Sequence, residues 1–254
     1  MFFFTKDGSK KLVLSPVKSF VQTVFIPVCV FVISLGSFSE AFLLVDDFRT
    51  MMKSRFSNDF EYETLSEIHV GNTANYVEEL LGAPAATKTL EDGVLVNYYI
   101  NEKYLLSGYF KGDRVAAYTV VAIVDGFSPE MAWYDGLRLG ESSFGKFNDS
   151  PQAFTFDNAN TNRFFIELSP NELSGFFQNS YLGAVQYGMG EVDQDLLNDL
   201  YNSDVFGTEE DTIKKITAFR KQALPNFYGQ GELNIEIIQK GLLSNGEFLN
   251  FFAG

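Results

Sequence analysis

The sequence predicts an α+β protein: an N-terminal transmembrane helix, two tandem helix-plus-antiparallel-meander repeats, and a mainly helical C-terminal segment. Three observations predict it. Residues 20–38, FVQTVFIPVCVFVISLGSF, run for 19 positions without a charged side chain. The hexapeptide LLSGYF at Leu105–Phe110 returns as ELSGFF at Glu172–Phe177, 67 positions later. Beyond residue 190 the short strand-like runs give way to apolar residues at helical spacing.

The apolar run comes first in the chain. About 20 mostly apolar residues span a bilayer as a helix, so its length fits one crossing. Lys6, Lys10, Lys11 and Lys18 precede it, and Asp46 and Asp47 follow. That asymmetry places the N-terminus in the cytoplasm and the remainder outside it. The rival reading is a cleaved signal peptide ending at Ser39-Glu40-Ala41, but the run is longer than a usual signal core. Cys29, the only cysteine, lies mid-run after Val28, which excludes a lipoprotein signal and leaves the rest of the chain without a disulfide. The expected organisation is a cytoplasmic tail over 1–18, the anchor over 19–45 and a helical connector over 46–66. Repeat 1 follows over 67–127, repeat 2 over 128–190 and a helical extension over 191–254.

Repeat 1 opens with VGNTANYVEELLGAP. Asn72 or Thr73 caps a helix with the apolar face Tyr76, Val77, Leu80 and Leu81, while Gly82 and Pro84 stop it. Three strands follow, Val94–Ile100, Tyr104–Lys111 and Val115–Ile123, divided by Asn101-Glu102-Lys103 and Gly112-Asp113. In repeat 2, Gly140 and Pro151 stand for Gly71 and Pro84. Its strands are read as Arg163–Leu168, Glu172–Gln178 and Leu182–Tyr187, with Phe164-Phe165-Ile166 matching Tyr98-Tyr99-Ile100. Asp157–Asn162 is read as a hairpin tip rather than a calcium loop, for it lacks the terminal bidentate Glu. In the extension, Val192, Leu196, Leu197 and Leu200 share a helix face. Thr208 with Asp211 forms a capping-box pattern ahead of Ile213, Ile216 and Phe219. Leu233–Ile238 fits a strand and a helix equally.

Charge bounds the partners. The chain has a net charge of −14, and residues 41–254 alone carry 31 acids against 15 bases. Such a surface repels phosphate backbones, so nucleic acid is not an expected partner. No catalytic, metal or cofactor motif emerges. His69 is the only histidine, too few for a metal centre. Glu78-Glu79, Glu91-Asp92 and Glu209-Glu210-Asp211 read as solvated acids, the last trio favoured at a helix start. Gly229–Gly231 and Tyr187–Gly190 lack the spacing of a phosphate cradle and read as turns. Trp133 reads as a buried wedge between the repeats.

Alternation in the repeat strands gives the one candidate site. Reading the outer face as Asn97, Tyr99 and Asn101, then Ser107, Tyr109 and Lys111, lines up Tyr99, Tyr109, Phe165 and Phe176 on an open sheet. Aromatic residues among polar ones on an exposed sheet suit partner recognition. Covering of that face by the helix carrying Ile213, Ile216 and Phe219 is the competing reading.

VGNTANYVEELLGAP, NYYI and GYFKGDRVAAY together resemble the BamE/SmpA small outer-membrane lipoprotein pattern over residues 68–190. Two such units in tandem look like the β-lactamase inhibitory protein architecture. The longer layout, with GFFQNSYLGAVQYG and PNFYGQG, is similar to single-pass bacterial membrane proteins with no activity attached. The resemblance implies helices on one face of an antiparallel sheet and protein–protein contact, while the missing lipobox departs from it. The expected function is therefore a membrane-anchored protein-binding module, an adaptor, inhibitor or assembly factor rather than an enzyme. Its partner is a protein of the cell envelope, with the bilayer contacted through 19–45. A membrane-tethered small-molecule sensor and a carboxylate-based hydrolase are the alternatives. The expected location is the bacterial inner membrane with the soluble part periplasmic; a cytoplasmic soluble part, or secretion after signal cleavage, are the alternatives.

Overall fold

A computed structural model describes residues 58–91, 93–131, 133–173, 176–190 and 192–252, with the backbone alone at 172, 173, 176, 177 and 252. Two helices lead, α1 (Asp59–Ser66) and α2 (Ala74–Leu81). The Thr73 hydroxyl accepts from the Tyr76 amide, and Gly82, at φ 81°, closes α2 with its amide on the Glu78 carbonyl. A left-handed residue at that position favours glycine, as the sequence anticipates.

The strands β1 (Ala86–Thr89), β2 (Leu95–Ile100), β3 (Tyr104–Lys111) and β4 (Arg114–Ala122) form the first meander. The one-turn helix α3 (Phe144–Phe147) precedes a second meander of β5 (Ala153–Ala159), β6 (Asn162–Leu173) and β7 (Phe176–Val185). The helices α4 (Gln194–Phe206) and α5 (Glu209–Gln222) make a hairpin. Then come β8 (Phe227–Gly231), α6 (Ile235–Lys240) and α7 (Asn245–Phe252).

All eight strands join one antiparallel sheet in the order β1-β2-β3-β4-β8-β7-β6-β5. The predicted two repeats with a mainly helical tail are thus corrected. The tail supplies the strand that unites the sheet, pairing Tyr228 with Val120 on one side and with Leu182 on the other. Without β8, strands β4 and β7 would each expose a row of unpaired backbone groups to the interior. Gly229 and Gly231 are strand residues rather than a turn. A Cβ on Gly231 would lie 2.2 Å from the Ala117 Cβ, and one on Gly229 would lie 2.4 Å from the Tyr118 carbonyl oxygen. Only glycine fits so close a backbone approach.

The repeated hexapeptide is also corrected. Leu105–Phe110 runs inside β3, whereas Glu172–Phe177 spans the end of β6 and the start of β7, with Leu173 paired to Phe176. A third correction concerns the anchor. Among the described residues no helix is long and apolar enough to cross a membrane. The predicted tail, span and first part of the connector, residues 1–57, lie outside them.

Each face of the sheet carries its own apolar layer. On the broad face, Leu65 of α1, Val77 of α2, Phe144 of α3, Leu197 of α4 and Phe219 of α5 pack over Leu106, Val120, Phe165 and Leu182. On the C-terminal face, Ile235 and Ile238 of α6 and Phe248 of α7 pack over Val96, Tyr109, Val121, Ile166 and Tyr181. Burying both faces explains why β3 and β4 are almost wholly buried and lose the polar alternation of a half-exposed strand.

Candidate functional site

The four sequence-predicted partner residues do not form one open surface. Cross-strand partners share a face, and Val96 pairs with Tyr109 while Leu106 pairs with Tyr99, so the two tyrosines point to opposite sides of the sheet. Tyr109 is fully buried on the C-terminal face, its hydroxyl donating to the Ile238 carbonyl at 3.1 Å. Tyr99, 4% exposed, and Phe165, fully buried, belong to the broad face. The Phe165 ring lies 4.4 Å from Phe219 of α5, so the covering helix that the sequence offered as the competing reading is present. Phe176 opens β7, and its side chain falls outside the described residues. The misassignment has a physical cause: alternation fixes which residues share a face within one strand, but the register between strands decides which faces coincide.

The C-terminal face is closed by hydroxyls. Tyr98 donates to the Gly241 carbonyl at 2.9 Å and Tyr181 to the Leu233 carbonyl at 2.6 Å, alongside the Tyr109 bond. Three buried phenols thus satisfy carbonyls at and around α6 and tie it to strands β2, β3 and β7. Burial pushes the pKa of each well above the usual phenol range, so all stay protonated donors.

The broad face is less tightly closed. Its central strands present Tyr118 from β4 and Tyr228 and Gln230 from β8, with the Tyr118 hydroxyl donating to Gln230 Oε1 at 3.3 Å. Gln230 donates in turn to Gln178. Above them, Tyr62 of α1 and Trp133 of the 123–143 segment help to enclose a cavity of about 550 Å³. Tyr118 and Tyr228 are buried; Glu63, His69 and Glu130 stand exposed at its rim. Tyr62 is held by the Ser128 amide, which donates to its hydroxyl at 3.0 Å. The Trp133 indole Nε1 is shielded from solvent and has no hydrogen-bond partner. Sequence reasoning placed Trp133 as a wedge but missed the cavity, whose walls come from α1, β4, β8 and the 123–143 segment, far apart in the chain.

Deeper in the same layer lies an ion pair. Arg220 Nε donates to Glu167 Oε1 at 2.5 Å, and the other guanidinium nitrogens reach the Asn148 and Asp149 carbonyls. Burial raises the Glu167 pKa and outweighs the opposing pull of Arg220. Glu61 of α1 is likewise paired with Lys103, at 2.9 Å. Each of these two buried carboxylates faces a cation rather than a second acid, an arrangement that serves structure instead of paired-acid hydrolysis.

A third feature lies on the α4–α5 hairpin, whose α4 is tied to β5 by the Asn158 amide donating to Asn198. At the free end of the α4–α5 hairpin, Phe206 is 81% exposed, Ile213 56%, Val205 50% and Tyr201 46%. The hairpin is tied by Lys215 to Asp199 at 2.5 Å and by the Thr212 hydroxyl to the Ser203 carbonyl. Its turn is fixed by the capping box of Thr208 and Asp211 that the sequence announces.

The fold and these sites define an α+β domain built on one continuous antiparallel sheet with helices on both faces. No protein-family profile matches the chain, and no curated protein matches it. Among solved structures it is similar to a Streptococcus mutans protein provisionally named a beta-lactamase inhibitor protein. The match has 10% identity and a TM-score of 0.27, and covers 53% of this chain and 94% of that one. At that TM-score the likeness carries no argument.

Proposed function

We propose that this domain works by binding another protein, through the free end of the α4–α5 hairpin. One observation carries the reading: Phe206, a large apolar side chain, is 81% exposed, with Val205, Ile213 and Tyr201 also exposed within eight residues of it in sequence. Exposed apolar side chains drawn together on one projecting element are a feature of association surfaces, and aromatic residues are the usual anchors. Asp204, Glu209 and Glu210 surround them and are exposed, so the fitting partner offers an apolar cleft with a basic rim. Binding therefore runs through a helical projection, since both faces of the sheet are already covered.

The test is a photo-crosslinking residue at Phe206 in the full chain within its native host, with Lys240 as the control position. A discrete heterologous adduct from position 206 alone, lost in a Val205→Lys/Ile213→Lys variant that melts normally, is the expected result. An adduct of only twice the chain mass would make the hairpin a self-association surface. Equal labelling at both positions, or none at position 206, would sink the reading.

A further inference from the structure

The cavity on the broad face has a composition that selects a class of ligand, independently of the hairpin. Its volume of about 550 Å³ falls within the range of small-molecule sites. Four aromatic rings contribute to its wall, those of Tyr62, Tyr118, Trp133 and Tyr228, beside the thioether of Met131. Two carboxylates, Glu63 and Glu130, stand at the rim, and among the described residues no Lys or Arg lines it. Aromatic faces are electron-rich and attract cations, and the attraction strengthens where water is excluded. An anionic ligand would meet two negative charges and no positive one. The chemistry that answers the rings and the rim together is a small organic cation.

We propose that the cavity binds a small methylated or protonated amine, held by the rings of Tyr62, Tyr118, Trp133 and Tyr228 and by the rim carboxylates. The phenols favour this by staying neutral: burial pushes the Tyr118 pKa up to about 12 and raises that of Tyr228 well above the ordinary phenol value, with Tyr118, Tyr104 and Tyr62 close enough to add to its rise. The rings thus present uncharged electron-rich faces, while the charge that neutralises the ligand stays at the rim.

The sequence supplies the reporter. Trp133 is the single tryptophan of the chain, so indole-selective fluorescence reads this cavity alone. The full chain is titrated with choline, with tetramethylammonium, and with the neutral tert-butyl analogue of choline, and calorimetry is run on the same solutions. Choline and tetramethylammonium are each expected to give a saturable change, and the neutral analogue binding at least roughly tenfold weaker than choline. Glu63→Gln/Glu130→Gln, both at exposed positions and safe for folding, should weaken choline by about threefold or more while leaving the melting temperature unchanged. Trp133→Leu, followed by calorimetry, should weaken choline and tetramethylammonium alike, since one aromatic face is lost. Equal affinity for the neutral analogue, or no effect of the double variant, would overturn the proposal. So would the absence of saturable binding by both methods at millimolar choline. None of these outcomes bears on the hairpin reading.

Discussion

The two faces of the sheet are covered in different ways. The C-terminal face is sealed by two short helices, and its three phenols donate to main-chain carbonyls at and around α6. The broad face is covered by five helices and the 123–143 segment, yet it keeps a buried ion pair, an unpartnered indole N–H and a cavity. The contrast teaches that covering a sheet and filling the space above it are separate problems. A short helix docked by hydroxyl-to-carbonyl bonds fits closely, because each bond fixes a side chain against main chain. Several helices arriving from distant parts of the chain meet at a seam, and the seam over β4 and β8 is where the cavity lies.

The largest expected effect breaks the broad face at its ion pair. Arg220→Met leaves the Glu167 carboxylate buried without its cation and should cost about 3–5 kcal/mol in urea denaturation. Glu167→Gln should cost clearly less, because Arg220 keeps the Asn148 and Asp149 carbonyls. Equal losses from the two variants would show that burial does not dominate at Glu167.

On the C-terminal face, Gly241→Ala places a methyl 2.3 Å from Tyr109 Cε1 and 2.5 Å from its hydroxyl oxygen. Overpacking of this kind should cost about 1–3 kcal/mol by the same assay. A neutral result would mean that α6 shifts freely and that the seal is looser than its bonds imply.

Smaller again are the hydroxyl deletions. Tyr109→Phe and Tyr181→Phe should each lose about 0.5–1.5 kcal/mol, since each removes a buried hydrogen bond, while the Ile238 carbonyl keeps the Gly241 amide and the Leu233 carbonyl keeps Asn179. Tyr118→Phe, beside the cavity, should lose less, because its bond to Gln230 Oε1 is longer, at 3.3 Å, and only part-buried. Thermal melts of the three variants sharpen the comparison directly, and the ranking reverses if the broad face is the tighter one.

The smallest effect is in pH. Burial raises the Glu167 pKa in the folded state above that of the unfolded chain. The native state therefore takes up this proton first as pH falls, and stability attributable to the group rises with it. That contribution is complete below the ordinary glutamate value and is lost as pH rises through the raised one. Melting temperatures of wild type and Glu167→Gln across the acid range should show wild type gaining on the variant as pH drops. A flat difference, or the opposite slope, would contradict it.

Local features of the fold are legible in the sequence because their causes are local. Thr73 and Gly82 bound α2, Thr208 with Asp211 starts α5, and Asn160-Thr161 turns the β5–β6 hairpin, each decided by neighbours within a few residues. The candidate site was not legible for the converse reason. Tyr99 and Tyr109 look alike in alternation, and only the pairing of Val96 with Tyr109 puts them on opposite faces. The cavity draws on residues from Tyr62 to Gln230, which no short window contains.

What the sequence alone determined is thus the set of helices and hairpins with strong caps and turns, together with a charge balance that disfavours nucleic acid. Tertiary structure decided the rest. Gly229–Gly231 reads as a turn, yet with Phe227 and Tyr228 it becomes the strand that joins β4 to β7. The unpaired edges on either side of it and the close backbone approach allowed by those glycines together outweigh its weak strand propensity.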